Sequence, residues 1–198
     1  HCCSIIDTIK VATGTYKPTK KPYIGGTEMT TADARDLTFH LPEGLVLWGG
    51  YPAGGGVRNI PANVTTLSGD FNSNDAVSGS GSTLSITGNT ENAYHVVLAS
   101  APTSGGLGVT IDGFSIIGGN ANTNTVVTVN GNNVARDNGG GIFTTNGTNT
   151  LTNNLIYNNA AANGGGIFTR NGLNSTISNN TIYNNATSIN GGGIFTTN

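Results

Sequence analysis

The last third of the chain, Asn138 to Asn198, repeats itself, and this repetition limits the possible folds more than any other feature. The words NGGGIFT begin at Asn138, Asn163 and Asn190. Between them stand NNLIYNNA from Asn153 and NNTIYNNA from Asn179, so a whole unit of roughly 26 residues recurs, a period that marks a solenoid.

What the unit lacks decides which solenoid. No window has apolar positions at helical spacing, and the unit is rich in Gly, Asn and Thr, which favour turns and strands over helix interiors. Ile142, Phe143, Leu151, Leu155, Ile156 and Tyr157 come in short bursts separated by Asn or Gly. Three short strands and three turns per unit fit this spacing, which is one coil of an all-β, parallel β-helix.

Stacking coils at about 4.8 Å sets each residue over its counterpart in the coil below. Ile142, Ile167 and Ile194 then form one core column, Leu151 with Ile177 a second, and Ile156 with Ile182 a third. The likeness of VTIDGFSIIGGNA to STISNNTIYNNA adds Ile111 to the second. Inward phenylalanines would drag Arg170 inward by period-two alternation, leaving a guanidinium buried and unpaired. The isoleucines are therefore expected inside, with Phe143, Phe168 and Phe195 outside as an exposed apolar stripe and a possible interface. Asn154, Asn180, Asn159 and Asn185 fall where the chain turns, and are expected to stack their amides in a hydrogen-bonded ladder.

The chain divides into irregular N-terminal coils and a cap over residues 1–108 and regular coils over 109–198, in one continuous domain that reads as part of a longer chain. An insertion at about 120–137, with a strand at Val126 to Val129, is expected to protrude from one face. LTFHLPEGLVLWGGY reads as two strands joined at Pro42 to Gly44, and the C-terminal end is expected to be open.

Only 9% of residues are charged and net charge is −2, which excludes the clustered Lys and Arg that phosphate binding needs. Lys10, Lys17, Lys20 and Lys21 all lie near the start and read as solvated. No apolar run is long enough to enter a membrane as a helix. Cys2 and Cys3 are adjacent and outside any metal-binding spacing. His1, His40 and His95 are scattered, so neither a metal nor a cofactor is expected.

The ordered phrases TIKVATGTYKPT, RDLTFHLPEGLVLWGGY, TTLSGD, YHVVL, TIDGFSIIGGNA and GGGIF with NNTIYNNA resemble the right-handed parallel β-helix surface proteins of bacteria. These are large secreted polypeptides common in Bacteroidetes, similar in style to polymorphic outer-membrane protein repeats. The resemblance implies a right-handed coil, export and display on the cell surface. It carries no catalytic residues.

β-Helices also include polysaccharide lyases and glycosidases, whose chemistry needs paired carboxylates or an acidic calcium site with a base. The candidates are Asp70 near Asp112, and Asp112 or Asp137 near Arg136, but the coils from Asn138 onward hold no acid. Asp112 is expected to accept backbone N–H groups in a turn, and no catalytic residue is assigned. An ice-binding face would need a flat exposed threonine array. Thr144, Thr169 and Thr196 are expected inward, and the outward column Thr145, Arg170, Thr197 is broken by a guanidinium. The expected function is a non-enzymatic structural or adhesive solenoid, a rod or filament whose partners are copies of itself or surface glycans. A carbohydrate-active β-helix and an ice-binding solenoid are the alternatives.

Overall fold

The computed structural model describes residues 7–102, 105–172 and 174–198, so His1, Cys2 and Cys3 lie outside the described residues. The strands form three five-stranded parallel sheets. Sheet one holds Thr8–Ala12, Val46–Tyr51, Leu107–Asp112, Thr148–Thr152 and Thr176–Ser178. Sheet two holds Gly14–Tyr16, Thr65–Ser68, Ser115–Ile117, Leu155–Tyr157 and Thr181–Tyr183. Sheet three holds Phe39–Leu41, Val97–Ser100, Ile142–Thr145, Ile167–Arg170 and Ile194–Thr197. Each coil visits the three in the same order, and the last three coils add a short strand at the corner between sheets two and three. The two strands around Pro42 to Gly44 thus belong to different sheets and form a corner of the coil.

Register follows the repeated words. Ile142 pairs with Ile167 and Ile167 with Ile194; Leu47, Ile111, Leu151 and Ile177 make a second column. Leu67, Ile116, Ile156 and Ile182 make a third. All three columns point into one apolar core, where Ile111, Ile142, Ile156 and Ile167 are fully buried. Each such side chain contributes roughly 1.5–3 kcal/mol by leaving water. The last coil has no described coil above it, so Ile177 and Ile182 are only half-buried and Ile194 is exposed.

The doubled asparagines divide the work of the corner. Asn153, Asn158, Asn179 and Asn184, first of each pair, take left-handed backbone angles, with φ of 55°, 55°, 55° and 49°. The second asparagine turns inward and bonds the preceding coil as both acceptor and donor. Asn154 Oδ1 accepts the Phe114 N–H at 3.0 Å while its Nδ2 donates to Ile111 O at 2.9 Å. Asn180 does the same one coil up, accepting from Asn154 N and donating to Leu151 O. Asn159 accepts from Gly119 N and donates to Ile116 O, and Asn185 accepts from Asn159 N and donates to Ile156 O. Replacing fully buried Asn159 with Ala leaves the buried Gly119 N–H without its acceptor and takes a donor from the Ile116 carbonyl, and should cost about 2–3 kcal/mol. Urea unfolding followed by circular dichroism measures this, with a half-buried Asn185→Ala expected to cost less.

Glycine is required at the other corner because backbones approach closely there. A Cβ at Gly140 would lie 2.3 Å from Ala160 O, and one at Gly141 2.5 Å from Gly166 O, so no other residue fits beneath the next coil.

The first three coils each insert an antiparallel hairpin between sheets two and three. The first pairs Tyr23–Ile24 with Thr27–Glu28, the second Ala76–Ser78 with Ser85–Thr87, and the third Val126–Val129 with Asn132–Ala135. The third occupies the 120–137 insertion, but it does not protrude. It folds back over sheet three and covers the outward column Leu98, Phe143 and Phe168 with Val129 and Val134. The exposed phenylalanine stripe is therefore corrected: the rings do point away from the coil, yet Phe143 and Phe168 are buried and Phe195 is half-buried. Neighbouring rings stand 5.0 Å and 6.0 Å apart as a continuous aromatic stack. Thr145, expected at the surface, is likewise buried, and Arg170 Nη2 reaches the hairpin at Asn133 O, 2.7 Å away.

Candidate functional site

Three hairpins on one side of a stack of coils make the hairpin-bearing corner the most elaborated part of the surface. Its chemistry lies at the hairpin feet. The short 3-10 turn Ala34–Asp36 follows Asp33, whose carboxylate accepts the Arg35 N–H and caps the turn. This turn aims Arg35 and Asp36 toward the later hairpins.

Arg35 Nε donates to Asn92 O at 2.7 Å, at the returning foot of the second hairpin. Its Nη1 and Nη2 donate to Asn122 Oδ1 and Asn120 O, at the departing foot of the third. Arg136, at the returning foot of the third hairpin, grips Asp36 through Nε at 2.8 Å and through Nη2. That bond raises the guanidinium pKa further above its ordinary value, against the opposing effect of burial. Both guanidinium groups face Tyr94, at 4.1 Å and 5.4 Å from the ring centre, and the Tyr94 hydroxyl donates to Asp33 at 2.8 Å. Cation–π contacts and a nearly buried ion pair thus tie all three coils' loops together. Asp36 and Arg136 are separated by 100 residues, which is why no local pattern announces the pair.

His95 lies beneath this network. The ring is buried, packs 5.1 Å from Phe143 and shares a 3.0 Å hydrogen bond with Gly139 O. Burial lowers its pKa from 6.5 to about 4, outweighing the help that Gly139 and Asp36 give the charged form. The folded state therefore keeps the ring neutral while the unfolded chain takes up a proton first. This stability is fully present above about pH 6.5 and is lost as pH falls toward 4, a total of about 3 kcal/mol. His40, also held below its ordinary range by burial, acts in the same direction. Urea midpoints at pH 7 and pH 4.5 should differ accordingly, and His95→Asn should flatten most of the difference.

The acids considered from sequence are placed differently from expectation. Asp112 supports its surroundings through side chains instead of backbone N–H groups. Arg58 donates to both carboxylate oxygens at 3.0 Å and 2.8 Å, and Asn153 Nδ2 adds a third bond at 2.9 Å. Burial pushes this carboxyl up, but the bonds from Arg58 and Asn153 outweigh it and hold it below the usual carboxylate range. Both oxygens are engaged, which suits a clamp on the 52–64 loop better than proton transfer. Arg136 pairs with Asp36 in place of Asp112 or Asp137. Asp70 accepts the backbone N–H groups of Asn74 and Asp75.

Tyr157 and Tyr183, on the outer face of sheet two, lie 5.1 Å apart and parallel within 3°. Their faces are turned to each other, so they stiffen the stack and offer little flat ring to a sugar. Lys10 and Lys20 are exposed as expected, the first over Tyr51 and the second paired with Glu28, whereas half-buried Lys17 donates to Phe71 O and Ser73 and half-buried Lys21 reaches Thr31 O. Among the described residues, no group of three His, Cys, Asp or Glu side chains is placed to hold a metal ion. No helix is long and apolar enough to cross a membrane.

Sequence reasoning missed the platform of Asp33, Arg35, Asp36, Tyr94 and Arg136, and it missed the hairpins. The third had a signal: Asn130–Gly131 between VVTV and NNVA, with φ of 51° and 77°, is the left-handed pair that a two-residue hairpin turn requires.

Residues 102–198 match the family model described as a right handed beta helix region. No curated protein and no solved structure matches the chain. With parallel sheets built from successive coils and a matching second half, the chain is an all-β, right-handed parallel β-helix.

Proposed function

We propose that the chain is a non-enzymatic, secreted β-solenoid of the bacterial surface, whose coils act as a rod that holds hairpins toward a binding partner. The observation that carries this reading is the shared exit of three hairpins from one corner, with their feet bound by Arg35 and Arg136. A scaffold that merely filled space would have no reason to place its insertions in one row. Display of loops by a rigid framework is a common arrangement for recognition. The partner is a surface glycan or another copy of the chain, and the second hairpin, exposed along both strands except at Ile86, is the part most available to it.

Immobilised protein on a glycan array tests the first partner, and electron microscopy of the purified chain tests the second. Replacing residues 76–87 by a two-residue turn should remove glycan binding or break up fibres while the circular dichroism of the coils stays unchanged. Release of soluble sugar from a polysaccharide panel would overturn the non-enzymatic reading, and retained binding without the hairpin would overturn its role.

A further inference from the structure

The feet of the second hairpin hold three buried oxygen atoms that meet no donor. Asp70 to Asp75 form the departing foot and Glu91 with Asn92 the returning one. The two are pressed together, since a Cβ at Gly88 would lie 2.4 Å from Asn74 O. Asn92 is fully buried, and its Nδ2 donates to Asp75 Oδ2 at 2.9 Å. Its Oδ1, with Asp75 Oδ1 and Glu91 Oε1, is buried without any hydrogen-bond partner. Burial first, and then the negative charges of Asp70 and Glu91, raise the Asp75 carboxyl above its ordinary range despite the Asn92 bond.

Three buried acceptors in one neighbourhood are costly unless something positive meets them. Protein cations nearby are already engaged. Arg35 spends its N–H groups on Asn92 O, Asn120 O and Asn122, and Lys17 donates to Phe71 O and Ser73. The Asn92 amide is not simply reversed, because turning it would set its oxygen against the Asp75 carboxylate.

We propose that Asp75, Glu91 and Asn92 form a binding site for a hard divalent cation, of which calcium is the best fit, at the base of the second hairpin. The donors are two carboxylates and a carboxamide, with Asp70 adding negative charge from behind and water completing the shell. Calcium takes six to eight oxygens in flexible geometry, whereas magnesium demands a near-ideal octahedron and keeps its water. A site with two carboxylates belongs to the weaker calcium class, with Kd on the order of 0.1–1 mM. Bound there, the ion joins the two feet and orders the hairpin. The site does not depend on the display function, because cation binding is read without any partner.

The test is calorimetric titration of chelator-treated protein with calcium chloride, together with thermal unfolding in 10 mM calcium. The expected result is one site of the stated affinity, a Tm rise of several degrees, and a response to magnesium at least tenfold weaker. Asp75→Asn and Glu91→Gln should each weaken binding tenfold or more, while exposed Glu43→Gln leaves it unchanged. Two variants guard against one failing to fold, and circular dichroism reports which does. Absence of heat and of any Tm shift up to 10 mM calcium would overturn the site, as would wild-type affinity in both variants. A Tm that rises on acidification to pH 5 without a response to calcium would assign the oxygens to a shared proton and also overturn it.

Discussion

Replacing Phe143 with Asp is expected to lower stability by about 4–6 kcal/mol, combining the loss of a buried aromatic ring with the burial of an unpaired carboxylate. Phe143 is fully buried between the outer face of sheet three and the third hairpin, stacked on Phe168 and touching His95. Apart from the His95 ring, which burial holds neutral, its surroundings are apolar: Leu98, Val129, Val134 and Phe168 are the other buried members of the cluster. Ordinary domains hold only 5–15 kcal/mol in total, so the variant should be largely unfolded or have its third hairpin detached. Urea unfolding followed by circular dichroism gives the global loss, and proteolysis within residues 126–135 reports the hairpin. Phe195→Asp, at a half-buried position, should cost roughly a third as much. Equal, small effects at both positions would mean that the stack is not covered.

The second large effect is at the hairpin feet. Asp36→Ala should cost about 3–5 kcal/mol, because it strands the Arg136 guanidinium in a nearly buried position. The charge itself contributes little net stability. Asp36→Leu combined with Arg136→Met should therefore recover most of the loss, since neither charge is then left uncompensated. The double variant would keep the fold while loosening the hairpin row, which separates the stability of the rod from its capacity to present loops. A double variant as unstable as Asp36→Ala would show that the ion pair is needed for more than charge balance.

The regular coils were legible because their chemistry is periodic. Ile142, Ile167 and Ile194 occur in the same word, and parallel stacking turns a repeated word directly into a column of paired residues. Period-two alternation with Arg170 puts the phenylalanines on the outer face, but alternation says only which side of a sheet a residue occupies. Whether that side meets water depends on a segment elsewhere, here Val126–Val129 and Asn132–Ala135, folding back across it. The Asn130–Gly131 turn shows that the hairpin itself was readable, while its direction was not. The feet were hidden for a different reason. Arg35, Asp36, Tyr94 and Arg136 come from three coils and carry no shared spacing, so only the stacked backbone brings them into contact. Asp112 was expected to bond backbone groups because the TIDGF phrase resembles a turn, and Arg58 arrives from an irregular loop in the coil below.

The central claim is that equivalent residues lie one above another through every coil, including the irregular ones. Thr8, Val46, Thr110, Thr150 and Thr176 form one column on sheet one, so four inter-strand steps of about 4.8 Å separate the first residue from the last. Nitroxide labels at Thr8 and Thr176, with Cys2 and Cys3 replaced by serine, measure this spacing by pulsed electron spin resonance. The account predicts one narrow distribution corresponding to about 19 Å between backbones, whereas a broad distribution or one centred beyond about 30 Å would contradict it.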